Sequence, residues 1–197
     1  MPPIGRLPQL AISATETWTS FDQIPHPRLR EFAQLWDAKR AGRRAPARAD
    51  LDPVELRPFL PYLYMYDVVG PEARLRFRLA GTKVVEFVGV GELAGRYFDE
   101  FCTPERHAQL RRHHEAVLFD FALHYSASDM AWQGRPYRRY ERLLMPLSED
   151  DVRFGIVLGI GYAQDRDGIP APPHPIDAEI HVTDVAAARL VGAGGPA

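Results

Sequence analysis

Apolar residues along the chain recur first at a helical period, then at a period of two, then at a helical period again. In RLREFAQLWDAKRAG, Leu29, Phe32, Ala33 and Trp36 fall at i, i+3, i+4 and i+7, which predicts an amphipathic helix with Gly42 at its C-terminal cap. Asp52, Pro53 and Glu55 then read as an N-cap, a first-turn proline and a capping-box carboxylate. Leu51 and Leu56 form the matching staple, and Pro58 limits the short helix. From Leu60 the period is two: PYLYMYDVV is a strand rich in aromatic and β-branched residues. RLRFRLA follows it, setting Leu75, Phe77 and Leu79 on one face against Arg74, Arg76 and Arg78, with Gly70-Pro71 as the turn of a hairpin.

Gly81 lets this strand turn sharply into a short helix through Val84, Val85, Phe87 and Val88. Thr103-Pro104-Glu105 opens a longer helix to about Leu118. Three more strands are predicted near 121 to 127, 136 to 147 and 152 to 162, with turns at Trp132 to Arg135 and Ser148 to Asp151. Pro146 removes a ladder donor and so belongs at an edge, a bulge or a strand end. The count predicts an α+β domain: a five-stranded antiparallel sheet with helices on one face, plus the N-terminal amphipathic helix.

Proline placement divides the chain further. Residues 1–24 read as a flexible arm, 25–48 as the N-terminal helix and a linker, 49–165 as the folded domain, and 166–197 as a Pro-rich tail. Thr183 or Asp184 could cap a short helix ending near Gly192. The first 50 residues carry 8 basic and 5 acidic side chains, net +3, and residues 164–197 carry 2 and 5, net −3, so the two ends can attract each other or a second copy.

Composition changes this picture little. A formal charge of −2 gives no global reason to expect nucleic acid or an acidic membrane, and all but Lys39 and Lys83 of the 24 basic residues are Arg, which dilutes the meaning of any Arg cluster. The single cysteine, Cys102, precludes an internal disulfide framework. No secretory signal or spanning segment is legible, so a cytoplasmic location is expected.

An ordered string of residues then carries a resemblance. It comprises Leu35 to Arg43, Pro46-Ala47-Arg48, Asp52-Pro53, Leu60-Pro61, Phe77 to Thr82, Gly95-Arg96 and Tyr140 to Leu147. Over about residues 25 to 165 the chain resembles the single-domain bacterial PAS family of alphaproteobacterial type. The resemblance implies a stand-alone sensory or adaptor domain, with 49–165 as its PAS-like core. It would homodimerise, regulate a signalling partner by contact, and bind a small molecule in a pocket or none.

Specialised chemistry is weakly represented. The flavin-binding branch resembles Gly-Arg-Asn-Cys, whereas Gly95-Arg96 is followed by Tyr97-Phe98 and Cys102 comes four positions late, so no flavin is expected. Haem would need an axial histidine, for which His107, His113 and His114 on the long helix are the candidates, but polar bordering of a buried face is the plainer reading. His107, His114 and Glu115 lack metal-site spacing, and no hydrolase or phosphate-loop motif occurs. The alternative function is a small pocket enzyme, isomerase- or cyclase-like, using His114 with Asp129 or Tyr140 as an acid–base pair. Arg139 or Arg142 could meet an anionic ligand or acidic surface.

The expected pocket takes Phe77 and Leu79, Val85 and Phe87, Leu110, His114 and Val117, and Tyr140, Arg142, Ile156 and Leu158 from successive elements. These are also what a ligand-free core would show. The stripe of Leu29, Phe32, Ala33 and Trp36 must be covered by the sheet or by another subunit, and it is the expected dimer interface.

Overall fold

The computed structural model describes residues 16–102, 104–130, 138–148, 155–165 and 176–181, with backbone alone at 105–106, 109–110, 128–130, 138, 164–165 and 176–181. Eleven named elements follow in chain order: β1 (Glu16–Trp18), α1 (Pro27–Arg40), α2 (Pro53–Leu56), β2 (Leu63–Val69), β3 (Arg74–Ala80), α3 (Thr82–Val88), α4 (Pro104–Phe119), β4 (Ala122–Met130), β5 (Arg138–Leu147), β6 (Ile156–Asp165) and β7 (Ile176–His181). The turns expected at Trp132 to Arg135 and after Ser148, and the helix from Thr183, lie outside the described residues. Among those described, no helix is long and apolar enough to cross a membrane.

The five predicted strands form the antiparallel order β3-β2-β6-β5-β4. Two strands not predicted extend it on the β4 side, β7 antiparallel to β4 and β1 parallel to β7, giving seven. The Pro-rich tail therefore returns to the sheet. IDAEIH alternates apolar and polar residues, and that short signal is hidden behind the prolines of 170–175. The arm expected to be flexible is docked from residue 16 onward. Trp18, Phe21 and Ile24 are buried, and Ser20 and Gln23 form a capping box around a turn at Phe21–Gln23. The two oppositely charged ends meet through a backbone ladder between β1 and β7.

Alternation sorts the sheet into two faces. Leu63, Met65, Leu123, Tyr125, Leu143, Met145, Ile156, Leu158 and Ile160 pack with α1 into one core, while Tyr64, Tyr66, Leu75, Phe77, Leu144 and Val157 pack with α3 and α4 into the other. The apolar stripe of α1 lies wholly in the first core, with Leu29, Phe32, Ala33 and Trp36 all buried within the chain. Trp36 Nε1 donates to the Pro146 carbonyl at 3.0 Å. The structure therefore corrects the expectation of a dimer interface here, because the stripe is covered by its own sheet. α3 and α4 stand together on one face of the sheet, and the N-terminal helix α1 covers the other.

Local chemistry follows the sequence with small changes. Asp52 caps α2 by accepting from Val54 N at 2.8 Å, but the Glu55 carboxylate turns to Lys39 of α1 at 2.5 Å instead of closing a capping box. The left-handed exit from α1 starts one residue early, at Ala41 (φ 49°), and continues at Gly42 (φ 85°). Gly81 is fixed by proximity, since a Cβ there would lie 2.1 Å from the Leu60 carbonyl oxygen. Pro146 sits past the end of the β4–β5 pairing, which stops at His124↔Leu144. The basic run closing α1 is satisfied internally: Arg40 pairs with Asp37, and Arg43 with Asp50.

Candidate functional site

The inner face, between the sheet and α3 and α4, is built from alternate residues of four adjoining strands and carries unusual polarity for a core. Register places Tyr64 and Tyr66 of β2, Gly159 and Gly161 of β6, Tyr140 and Arg142 of β5, and His124 and Ser126 of β4 on this one face. The two glycines make room for rings. A Cβ at Gly159 would meet Tyr64 Cε2 at 2.1 Å, and one at Gly161 would meet the Tyr140 hydroxyl at 2.1 Å, so both phenols lie across the sheet. Phe87 of α3 stacks on Tyr140 with centroids 4.5 Å apart, and His114 of α4 stands edge-on to Tyr66 and Phe98.

Arg142 is the hub. Its Nε donates to Ser126 Oγ at 2.9 Å, and its Nη2 lies 2.6 Å from His113 Nδ1, which makes that nitrogen the acceptor. The Tyr64 hydroxyl lies within interaction range of both Arg142 and the Tyr140 hydroxyl. His113 stacks on His124 with centroids 4.1 Å apart. Burial raises the pKa of Tyr64 and drives those of Tyr66 and Tyr140 well above that of an ordinary phenol. All three hydroxyls are therefore neutral at physiological pH. Burial, followed by the charge interactions of His113, Arg142 and His114, holds His124 well below the usual imidazole value, so it too is neutral. The site thus sets the Arg142 cation beside a neutral imidazole, His124, neutral phenols and aromatic rings.

The expected pocket residues divide. Phe77, His114, Val117 and Arg142 are buried on this face, and Val85, Phe87 and Tyr140 border it half-buried. Leu79 is not part of it. A bulge in β3, opposite Met65 and Tyr66, shifts the β2–β3 register, pairing Leu79 with Met65 on the opposite face and leaving it 39% exposed, while Phe77 stays inward. Ile156 and Leu158 also belong to the other core, because β6 turns Val157 and Gly159 inward. The side chains of Leu110 and Asp129 lie outside the described residues. Tyr64, Tyr66, His113, His124 and Ser126 join the site without having been expected there. Tyr64 and Tyr66, two apart in a period-two strand, are the signal that could have found it.

On the opposite face Arg139 Nε meets Glu141 Oε1 at 2.7 Å and Tyr125 donates to Glu141 Oε2 at 2.6 Å, a closed buried network with Trp18 stacked on Tyr125. Among the described residues, no three His, Cys, Asp or Glu side chains are grouped to hold a metal ion.

Comparison with known proteins gives one family. The model of a family described as PAS domain matches residues 24–161, more than half of the chain. No curated protein matches. Among solved structures, one titled as a point variant of RsLOV is similar at 18% identity and a TM-score of 0.43, covering 58% of this chain and 69% of that one.

Proposed function

We propose that this chain, which belongs to the PAS domain family, is a sensory module whose inner sheet face receives a small ligand and whose output passes to another protein by contact. The observation that carries this reading is the buried polar hub of Arg142, Tyr64, Ser126 and His113, placed where strands and helices of the domain meet. A core needing only stability is better filled with apolar side chains, since each buried polar group must recover its lost hydration. Native mass spectrometry of the protein purified from its own host tests the reading directly. A mass above that of the bare polypeptide is expected, and a bare mass under gentle conditions counts against it.

The reading takes neither haem nor flavin into the site. Support comes from Tyr97-Phe98 standing after Gly95-Arg96 and from the half-buried Cys102, whose Sγ lies 3.6 Å from the Phe98 carbonyl. A colourless solution is the expected outcome, and a Soret or flavin absorption band would overturn it. Output by contact, to a second copy or to a signalling partner, uses a surface other than the α1 stripe, which is already covered.

A further inference from the structure

The chain buries three arginines among its described residues, Arg40, Arg139 and Arg142, exposed by 7%, 8% and 7%. Two of them hold carboxylates at 2.7 Å: Arg40 on Asp37 and Arg139 on Glu141. The third meets a hydroxyl, a phenol and an imidazole, and has no carboxylate partner among the described residues. A buried cation without a counter-ion is costly, and the same chain supplies one in the two other cases.

We propose that Arg142 is the anchor for the carboxylate of a small organic monoanion bound on the inner face, a proposal that rests on the sensory reading above. The guanidinium fork matches a carboxylate in plane and spacing, and Ser126, already bonded to Arg142, and the neighbouring Tyr64 hydroxyl can share it. One fixed charge, with His124 and the phenols beside it neutral, matches a monoanion and falls short of a phosphate dianion. The surrounding rings, Tyr66, Phe77, Phe87, Phe98 and Tyr140, offer apolar faces, so the body of the ligand is an aromatic or acyl group.

An internal competitor has to be separated from a ligand. Strand β7 sets Asp177 in register with Ser126, which is itself in register with Arg142. The test uses the full chain in calorimetric titration and thermal unfolding with benzoate, phenylacetate and hexanoate. Each acid is paired with its neutral amide, and inorganic phosphate is included. The expected result is that at least one carboxylate binds and raises the melting temperature while its amide does not. Arg142→Met should then weaken that carboxylate by at least roughly 30-fold, and Asp177→Asn should leave it unchanged or tighter. The acid–amide comparison on the unaltered chain keeps the proposal testable even if Arg142→Met does not fold. An amide binding as well as its acid overturns the anion assignment and leaves the sensory reading standing. No binding by any probe, with Asp177→Asn destabilising the free protein as much as Arg142→Met, overturns it in favour of the tail as counter-ion. A bare mass from the host in addition removes the sensory reading as well.

Discussion

Replacing Trp36 distinguishes a helix docked on its own sheet from one that awaits a second subunit. The indole is fully buried among Leu29, Phe32 and the outward residues of β5 and β6, and its Nε1–H is bonded to the Pro146 carbonyl. Trp36→Ala removes that packing at about 3–5 kcal/mol and strands a buried carbonyl at about 1–3 kcal/mol more, partly overlapping, so about 4–6 kcal/mol is expected. Trp36→Phe keeps most of the volume and isolates the carbonyl, at about 1–3 kcal/mol. In urea unfolding followed by circular dichroism, with a slope of about 2 kcal/mol/M, these are midpoint shifts of about 2–3 M and 0.5–1.5 M. Sedimentation should give Trp36→Ala the same oligomeric mass as the unaltered chain. If Trp36→Ala combined with Phe32→Ala left the urea midpoint in place and lowered the mass, the stripe would be an intersubunit surface and the docking described above would be wrong.

Three further outcomes follow from particular contacts. Glu141→Gln leaves Arg139 buried without a carboxylate and should cost about 3–5 kcal/mol in chemical unfolding. Gly159→Ala drives a methyl into the Tyr64 ring and should cost about 1–3 kcal/mol, with a changed near-ultraviolet tyrosine signal; an unchanged signal would mean that the ring does not lie on the sheet. His124 is held neutral in the folded chain and regains its ordinary pKa of about 6.5 when unfolded, so the unfolded chain takes up its proton first. Its stabilisation is complete above about pH 6.5 and lost as pH falls below, by up to about 1.4 kcal/mol per pH unit. His26, also lowered by burial, adds in the same direction. Stability that stays flat from pH 7 to pH 5 would refute this.

Period and punctuation carry the elements, because helix stripes and strand alternation depend on near neighbours in sequence. The stripe of α1, the hairpin at Gly70-Pro71 and the start of the long helix at Pro104 are all legible in that way. Alternation says which residues share a face but not which layer that face meets, and so Ile156 and Leu158 are expected in the pocket while Val157 and Gly159 occupy it. One bulge in β3 is enough to remove Leu79 from the set headed by Phe77. The hub of the site escapes for a related reason: Arg142, Ser126 and His113 come from three elements, and only pairing register and helix packing unite them. Whether the α1 stripe meets a sheet or a subunit is likewise undecidable from an apolar pattern that looks the same in both.

The parallel pairing of β1 with β7 makes the order of one end of the chain conditional on the other. β1 is three residues long and has β7 as its neighbour in the sheet, while β7 holds the edge of β4. Should β7 detach, β1 loses its ladder with it, and a strand so short cannot persist alone. Trp18 would then lose its hold above Tyr125, and the Glu141 network beneath would open toward water. An event at the C-terminal strand is therefore registered at the N-terminal one, though the two are joined through more than 150 residues of chain.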